Sequence, residues 1–312
     1  MPISLFKPQM RHSLVIKDNC IRWVGLRGHT PSSVRTYQEE ALPEQVIEKG
    51  AIINKAILED ILKQCIRKWN LRGKKVFIVV PDAYAVIRKV EIPGHLDEHD
   101  IRSYLFMEIG QSIHLPFDDP IFDLSILDQK EEQTEILLFA APEKIIMDYV
   151  TLLEDCGTRP IAAELSSLSL YRLYKQLDLA KEETTMFVQF DAGGINVSIF
   201  QAHIPLFLRE ISVNTEDIND EEEATYSDIY AEMERVMNFY QFSLNNGEDA
   251  VQRIILTGDH PNIQTFYEKM KDMLTLPVYP LFNESIKSIM GQTIPRQYQV
   301  NIGLSLKEVP TT

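Results

Sequence analysis

The chain has 312 residues, 45% hydrophobic and 25% charged, enough apolar material for one large domain or two of ordinary size. Lys+Arg number 31 against Asp+Glu 46, a formal charge of −15, which argues against nucleic acid or an anionic membrane surface as a direct partner and suits a basic peptide. Three scattered cysteines, Cys20, Cys65 and Cys156, argue against a disulfide framework or zinc knuckle and fit a reducing cytoplasm; no apolar run approaches the ~20 residues of a membrane span, and Met1–Lys17 lacks a signal-peptide core.

In chain order, Leu14–Leu26 reads as a strand, a polar turn at Lys17-Asp18-Asn19, and a second strand. A weaker strand covers Val34–Tyr37, and Glu39–Ala51 reads as irregular and acidic. Lys55–Trp69 is an amphipathic helix with Ile57, Ile61, Leu62, Cys65, Ile66 and Trp69 on one face, closed by Arg72-Gly73. Lys75–Val80 and Ala85–Ile92 are strands on either side of the Pro81-Asp82 turn. A helix over Asp97–Gln111 places Ile101, Leu105 and Ile109 at helical spacing, with Ile113 just beyond. Phe122–Asp128 and Thr134–Ala141 form a strand pair; Glu143–Asp155 is a helix stopped by Gly157. A short strand, Ile161–Leu165, leads into a helix over Ser166–Leu177, and Lys181-Glu182-Glu183 is a polar linker.

Met186–Phe190, Ile195–Phe200 and Ile204–Ile211 then read as three strands. The turn Asp191-Ala192-Gly193-Gly194 joins the first two, and it has two readings. A glycine turn lets backbone N–H groups approach a phosphate closely; it is equally an ordinary hairpin turn. Thr215–Glu223 is an acidic loop and Thr225–Phe242 a long helix. Arg253–Leu256 is a strand ending at Thr257-Gly258-Asp259, followed by a helix over Asn262–Leu274 and a strand over Pro277–Leu281. Tyr298–Leu306 is a glycine-containing apolar segment. Strands alternating with helices give an α/β class, and two halves that each open on strand-turn-strand suggest duplication. His95 and His99, four apart beside Asp100, read either as a metal face or as polar residues at a helix start. Asp118-Asp119 caps a turn, and no Ser-His-Asp or Gly-x-Ser-x-Gly arrangement occurs.

The order of several short stretches resembles the type IV pilus assembly protein PilM family, which is related to the cell-division protein FtsA. Leu42-Pro43-Glu44 with Gly50-Ala51-Ile52-Ile53 resembles the family's "LPEGAI" segment. Val76–Pro81 with Val86–Pro93 resembles its "VVLALPGSAVIVRRIELP", and Phe139–Pro142 through Cys156–Pro160 its "AArk…LLekAGLkP". Glu108 with Ile113–Phe117, Arg235 with Phe239-Tyr240, Ile255–Gly258, and Ile302–Leu306 follow in the family's order. The resemblance implies an actin-like (ribonuclease H-like) duplicated two-domain fold with an inserted α/β module. The first domain would cover 1–181 and hold the module at about 36–139; the second would cover 182–312, with a helical subdomain at about 215–250. It also implies a cytoplasmic adaptor of a pilus machine, peripheral at the inner face of the membrane. Its partner would be the N-terminal cytoplasmic peptide of a PilN-like bitopic protein in the inner-membrane platform, docked between the first domain and the module; self-association stays open. The apolar side of the Asp97–Phe117 region, Ile101, Leu105, Ile109 and Ile113, is the expected peptide contact.

The chain departs from the family where nucleotide would bind. Aligned on Cys20-Ile21-Arg22, the first hairpin carries Val15 at the family's acidic position and Lys17 at its glycine. The missing glycine blocks phosphate approach, and the missing carboxylate would have oriented Mg²⁺ through water. The second hairpin places Gln189 and Phe190 where the family has "vD". Arg209–Asn214 lacks a glycine pair, and Asp259 follows Gly258 in place of a second glycine. The acidic Glu216-Asp217 and Asp220–Glu223 would also repel an anion, or are simply a solvated loop. A degenerate ATP pocket follows, with no assigned cofactor and no catalytic or metal residue. Were ATP and Mg²⁺ retained, Lys17, Asp18, Asn19, Asp191, Gly193, Gly194, Gly258 and Asp259 would hold them, with Lys17 as a point charge toward phosphate. Three functions remain: a peptide-docking scaffold, an ATP-binding switch, and a sugar or acetate kinase, the last opposed by Val15.

Overall fold

Two antiparallel meanders seed the molecule, and each grows into a five-stranded sheet by adding parallel strands at its first strand. The computed structural model describes residues 9–211 and 223–308. In the first meander β1 (Arg11–Ile16), β2 (Cys20–Leu26) and β3 (Val34–Ala41) pair antiparallel. A two-residue hairpin, β4 (Ile47–Glu48) and β5 (Ala51–Ile52), precedes helix α1 (Lys55–Lys68), and β6 (Lys75–Val79) returns parallel to β1. Strand β7 (Val86–Pro93), helix α2 (Glu98–Glu108), β8 (Pro120–Gln129) and β9 (Gln133–Pro142) follow, and their strands form a separate sheet ordered β7-β9-β8. Helix α3 (Glu143–Asp155) leads to β10 (Arg159–Glu164), parallel to β6, and then to α4 (Ser166–Gln176).

The second half repeats the plan. Strands β11 (Thr185–Asp191), β12 (Gly194–Gln201) and β13 (Ile204–Ile211) form the meander. Helix α5 (Glu223–Asn238) runs into a π-helical turn at Phe239–Leu244. Strand β14 (Arg253–Thr257), α6 (Ile263–Met273), β15 (Val278–Pro280) and α7 (Gln299–Ser305) complete it. The sheet orders are β3-β2-β1-β6-β10 and β13-β12-β11-β14-β15, the same topology twice. The expected α/β class and duplication are therefore present.

Helices cover both faces of each sheet. Leu58, Leu62, Cys65 and Ile66 of α1 and Leu152 and Leu153 of α3 bury one face of the first sheet. Asn54 caps α1 by accepting from the Ile57 amide at 3.2 Å. Ile57 itself points outward, and Leu58 takes the inward place expected of it. In the second half Ile229, Met233 and Val236 of α5 and Phe266 and Met270 of α6 pack on Met186, Val188 and Phe190.

The two sheets meet through exchanged helices. Helix α4 follows the first sheet, yet its Tyr171 and Tyr174 pack on Phe187 and Phe200 of the second. Tyr171 stacks on Phe200 with ring centroids 4.0 Å apart. Helix α7 follows the second sheet, yet its Val300, Ile302 and Leu304 enter clusters with Val15, Val24, Leu26 and Phe77 of the first. A buried polar group pins α7 to β1 and β2: Ser13 Oγ donates to the Asn301 carbonyl at 2.9 Å, and Asn301 Nδ2 donates to the carbonyls of Ser13 and Arg22 at 3.2 and 3.1 Å. Where α4 crosses α7, a Cβ on Gly303 would sit 1.9 Å from the Ser169 carbonyl oxygen, so only glycine fits.

Four expectations change. Tyr298–Leu306, expected as an apolar segment, contains helix α7; every residue of that helix is buried, so no amphipathic period marks it. Glu39–Ala51, expected as irregular, holds the end of β3 and much of the β4–β5 hairpin. Residues 36–79, grouped with the expected module, pair into the first sheet through β3 and β6, and the separate sheet begins at Val86. Helix α5, placed in a helical subdomain, packs directly on the second sheet; most of the acidic Thr215–Glu223 loop lies outside the described residues.

Two outcomes follow for stability. Gly303→Ala forces α4 and α7 apart and should cost about 3 kcal/mol in chemical unfolding. Buried His12 accepts a hydrogen bond from Trp23 Nε1 at 3.3 Å on Nδ1, which requires the neutral ring, and burial, helped by Lys74, pulls its pKa down to about 4. Its contribution is complete above the unfolded value of 6.5 and is lost as pH falls toward 4, a swing of about 3 kcal/mol. His12→Gln should flatten that part of the stability–pH curve measured by denaturant melts.

Candidate functional site

Duplication brings three turns to one place: β1–β2, β11–β12 and β14–α6. Lys17 comes from the first, Asp191 ends β11, and Asp259 follows β14. Lys17 Nζ donates to Asp191 Oδ2 at 2.7 Å and to Asp259 Oδ2 at 3.3 Å. Arg22 of β2 donates from Nη1 to Asp259 and from Nε to Glu39. The two carboxylates are also laced by backbone: the Asp259 amide donates to Asp191 Oδ1 at 3.0 Å, and the Ala192 amide to Asp259 Oδ1 at 3.3 Å. Gln189, one turn inward on β11, donates to Asp191 Oδ2 at 2.5 Å.

Opposite charges meet within the cluster. Burial alone would lower the Lys17 pKa, but Asp191 and Asp259 outweigh it and raise it. Burial, with Asp259 adding to it, raises Asp191. Burial pulls Asp259 in the same upward direction, yet Lys17 and Arg22 prevail and hold it well below the carboxylate range. Lys17 and Arg22 thus pair with Asp191 and Asp259 at the junction of the halves, with Glu39 as a third carboxylate on Arg22.

Beside the cluster lies a cavity of about 100 Å³ lined by Lys17, Asp82, Ser166, Gln189, Gly193 and Asn196, among others. Ligand clefts ordinarily measure ~300 Å³ or more, so this one is small. Asp82, just after β6, accepts from the Ser166 amide at 3.2 Å and from Asn196 Nδ2 at 3.4 Å. Ser166 Oγ lies 2.5 Å from Asp82 Oδ2 and 2.8 Å from Gln189 Oε1, and its single proton serves one of them. Burial pushes the Asp82 carboxyl up to about 6 against the effect of Ser166.

The expected nucleotide residues come together in space but with other duties. Asp18 lines the cavity and also accepts from the amides of Lys49 and Gly50 at 2.6 and 2.9 Å, which ties down the β4–β5 turn. The Asn19 carbonyl accepts from the Leu42 amide at 2.8 Å. Gly193 and Gly194 line the cavity; Gly258 does so only at a minor recess beside Asp259. Gly258 has φ +126°, and a Cβ there would sit 1.9 Å from the Phe190 carbonyl oxygen, so its glycine serves the approach of the β14–α6 turn to β11. Val15 is buried core. Asn214 and the acidic run 216–222 lie outside the described residues. Sequence reasoning missed Arg22, Asp82, Ser166 and Asn196; Phe190 where the family has an acid was the one signal that a different network occupies this place.

The expected peptide residues are placed inward. Ile101 and Leu105 are fully buried and Ile113 nearly so, packed with Ile92, Ile136 and Leu138 of the three-stranded sheet; Ile109 is partly buried against the same cluster. Their apolar face is consumed by that sheet, whereas Phe106 and Met107 of α2 are exposed. A groove does exist on the opposite face of the sheet. Across the register of β8 with β9, Ile121, Asp123 and Ser125 oppose Ala141, Phe139 and Leu137. With Val80, Leu165 and Leu168 they line a cleft of about 410 Å³ between β8 and the β10–α4 corner.

Comparison with known proteins gives a consistent picture. A family model described as "Type IV pilus assembly protein PilM" matches residues 16–232. Among curated proteins none matches. The chain is similar in structure to a PilM–PilN type IV pilus biogenesis complex, at 15% identity and TM-score 0.75 over 96% of this chain and 98% of that one. It is also similar to a Bacteroides thetaiotaomicron protein with an actin-like ATPase fold and unknown function, at 13% identity and TM-score 0.51 over 95% and 96% of the two chains. The ethanolamine utilization protein EutJ from Carboxydothermus hydrogenoformans matches at 8% identity and TM-score 0.52 over 96% and 90%. The fold is actin-like.

Asp82 supplies a test of this site's electrostatics. A carboxyl raised to about 6 in the folded protein, from an ordinary value of 3.8, favours folding at low pH and loses that contribution as pH rises from about 4 to about 6. Asp82→Asn should therefore raise the Tm at pH 7.5 and leave it nearly unchanged near pH 4, as read by differential scanning calorimetry. Gly258→Ala should cost about 3 kcal/mol or more at either pH.

Proposed function

Because the chain belongs to the type IV pilus assembly protein PilM family, we propose that it is a cytoplasmic scaffold of a pilus machine. In this reading it docks the N-terminal cytoplasmic peptide of a PilN-like bitopic membrane protein and sits peripherally at the inner face of the membrane. No helix among the described residues is long and apolar enough to cross a membrane. The observation that carries the reading is the cleft between β8 and the β10–α4 corner. It is apolar along Val80, Leu165 and Leu168, and β8 is an edge strand of its sheet. An open edge offers backbone donors and acceptors to an added strand. A formal charge of −15 favours a basic juxtamembrane sequence.

We read the chain as two actin-like units meeting near 181–183, with the inserted module at 86–142. The nucleotide place we read as degenerate, since the turns that would cradle phosphate are bound to one another through Lys17, Asp191 and Asp259. A second reading, an ATP-binding switch, is favoured by the convergence of those turns at the junction of the halves. Calorimetric titration with Mg-ATP separates the two; binding at micromolar strength would put the switch first.

For docking, a synthetic peptide from the cytoplasmic N-terminus of the PilN-like partner should bind the purified protein and lose at least tenfold in affinity with Ile121→Arg. Ile121 is 42% exposed, so the Tm should stay within about 2 °C of the parent. Equal affinity in a folded variant would remove the cleft as the site.

A further inference from the structure

Lys17 occupies a position that asks for a cation. Two carboxylates from the second half, Asp191 and Asp259, converge there; their side chains are 10% and 8% exposed. Left without a cation, two buried carboxylates held together by the Asp259 and Ala192 amides would repel, and desolvation would not be offset. The ammonium that satisfies them comes from the opposite half, 174 residues from Asp191 and 242 from Asp259 in sequence. Arg22 adds a second cation from the same half, set in place by Glu39 and by the Gln297 carbonyl, to which its Nη1 donates at 3.3 Å. The groups facing this point come from every element around it: Lys17 of the β1–β2 turn, Arg22 of β2, Glu39 of β3, Asp191 of β11, Asp259 after β14, and the amide of Gln189.

We propose that this is a cation site whose resident ion is tethered: the Lys17 ammonium, from one half, fills the carboxylate pair of the other and clamps the three turns together without any exchangeable metal or nucleotide. The proposal rests on the degenerate-pocket reading and goes further, because it gives the replaced residue a positive duty. A pocket that had merely decayed would leave Lys17 in solvent and the acids unpaired. Here the side chain is 21% exposed and bonded to both acids. A lysine suits the duty better than a mobile ion would. Its stem spans the junction, it loses no translational freedom on binding, and it cannot be removed by a chelator.

The clamp is distinguishable from a neutral surface pair by a charge cycle. Lys17→Met should lower the Tm by about 8 °C, because it strands buried Asp191 and leaves Asp259 with Arg22 alone. Lys17→Met combined with Asp191→Asn should recover at least half of that loss, since the uncompensated charge is gone. Amide hydrogen exchange measured by mass spectrometry reads the clamp locally. In Lys17→Met, segments covering 189–196 and 257–263 should exchange at least tenfold faster, with α1 unchanged. In the parent the same segments should be indifferent to Mg-ATP and to a metal chelator. A Lys17→Met Tm and exchange pattern equal to the parent's would overturn the clamp. So would protection of those segments in the parent by Mg-ATP. Should Lys17→Met fail to fold, the double variant carries the test, its folding being expected and its collapse contrary to the proposal. None of these readouts involves the peptide, so failure of the docking reading and failure of the clamp are seen separately.

Discussion

The close crossing of α4 and α7 at Ser169 and Gly303 is the constraint on which the rest of the arrangement depends. The two helices exchange sheets, so each half completes its core with a helix from the other half's end. Their separation is set by backbone contact, not by side chains, because Gly303 has no room for a Cβ. That contact fixes the distance between the two sheets. The sheets in turn fix how near the β1–β2, β11–β12 and β14–α6 turns can come. Within the second half, Gly258 lets the β14–α6 turn rest on the Phe190 carbonyl, which sets Asp259 beside Asp191. The charged cluster lies in the space where these turns meet Lys17.

Within that space the decisive quantity is charge, not shape. An actin-like junction that accepts a polyphosphate must present uncommitted N–H groups and cations. Here the Ala192 and Asp259 amides are already donated to Asp259 and Asp191, and Lys17 and Arg22 are engaged by carboxylates. An incoming anion would have to displace bonds formed in a region of low dielectric, where they are strongest. The cleft beside β8 differs in kind: it is larger, mostly apolar in lining and bordered by an edge strand.

Much of this was legible in the residues and some was not, for identifiable reasons. The two strand-turn-strand units, α1, α3 and the alternation of strands with helices were legible because half-buried elements leave a period in the sequence. Helix α7 was not, since all its residues are buried and the period vanishes. The face formed by Ile101, Leu105 and Ile109 was read correctly as apolar and wrongly as free, because nothing local reveals that β7 and β9 will present Ile92, Ile136 and Leu138 to it. At the junction, Lys17 and Asp259 stood out as substitutions against a family pattern. Their mutual contact could not be read, being a product of topology across more than two hundred residues. Asp82 and Ser166 carried no pattern at all; they acquire meaning only when β6 and α4 place them side by side.

The exchange of α7 also bears on how the molecule comes into being. Ser13 of β1 is hydrogen-bonded to Asn301, 288 residues later. During synthesis the first sheet emerges with Val24, Leu26 and Phe77 lacking the cover that Val300, Ile302 and Leu304 supply. Contacts of such sequence separation slow the search for the native state and leave apolar surface open meanwhile. The first half therefore stays open to non-native association until α7 is made, and a truncation before residue 299 would be expected in inclusion bodies even though both five-stranded sheets remain encoded.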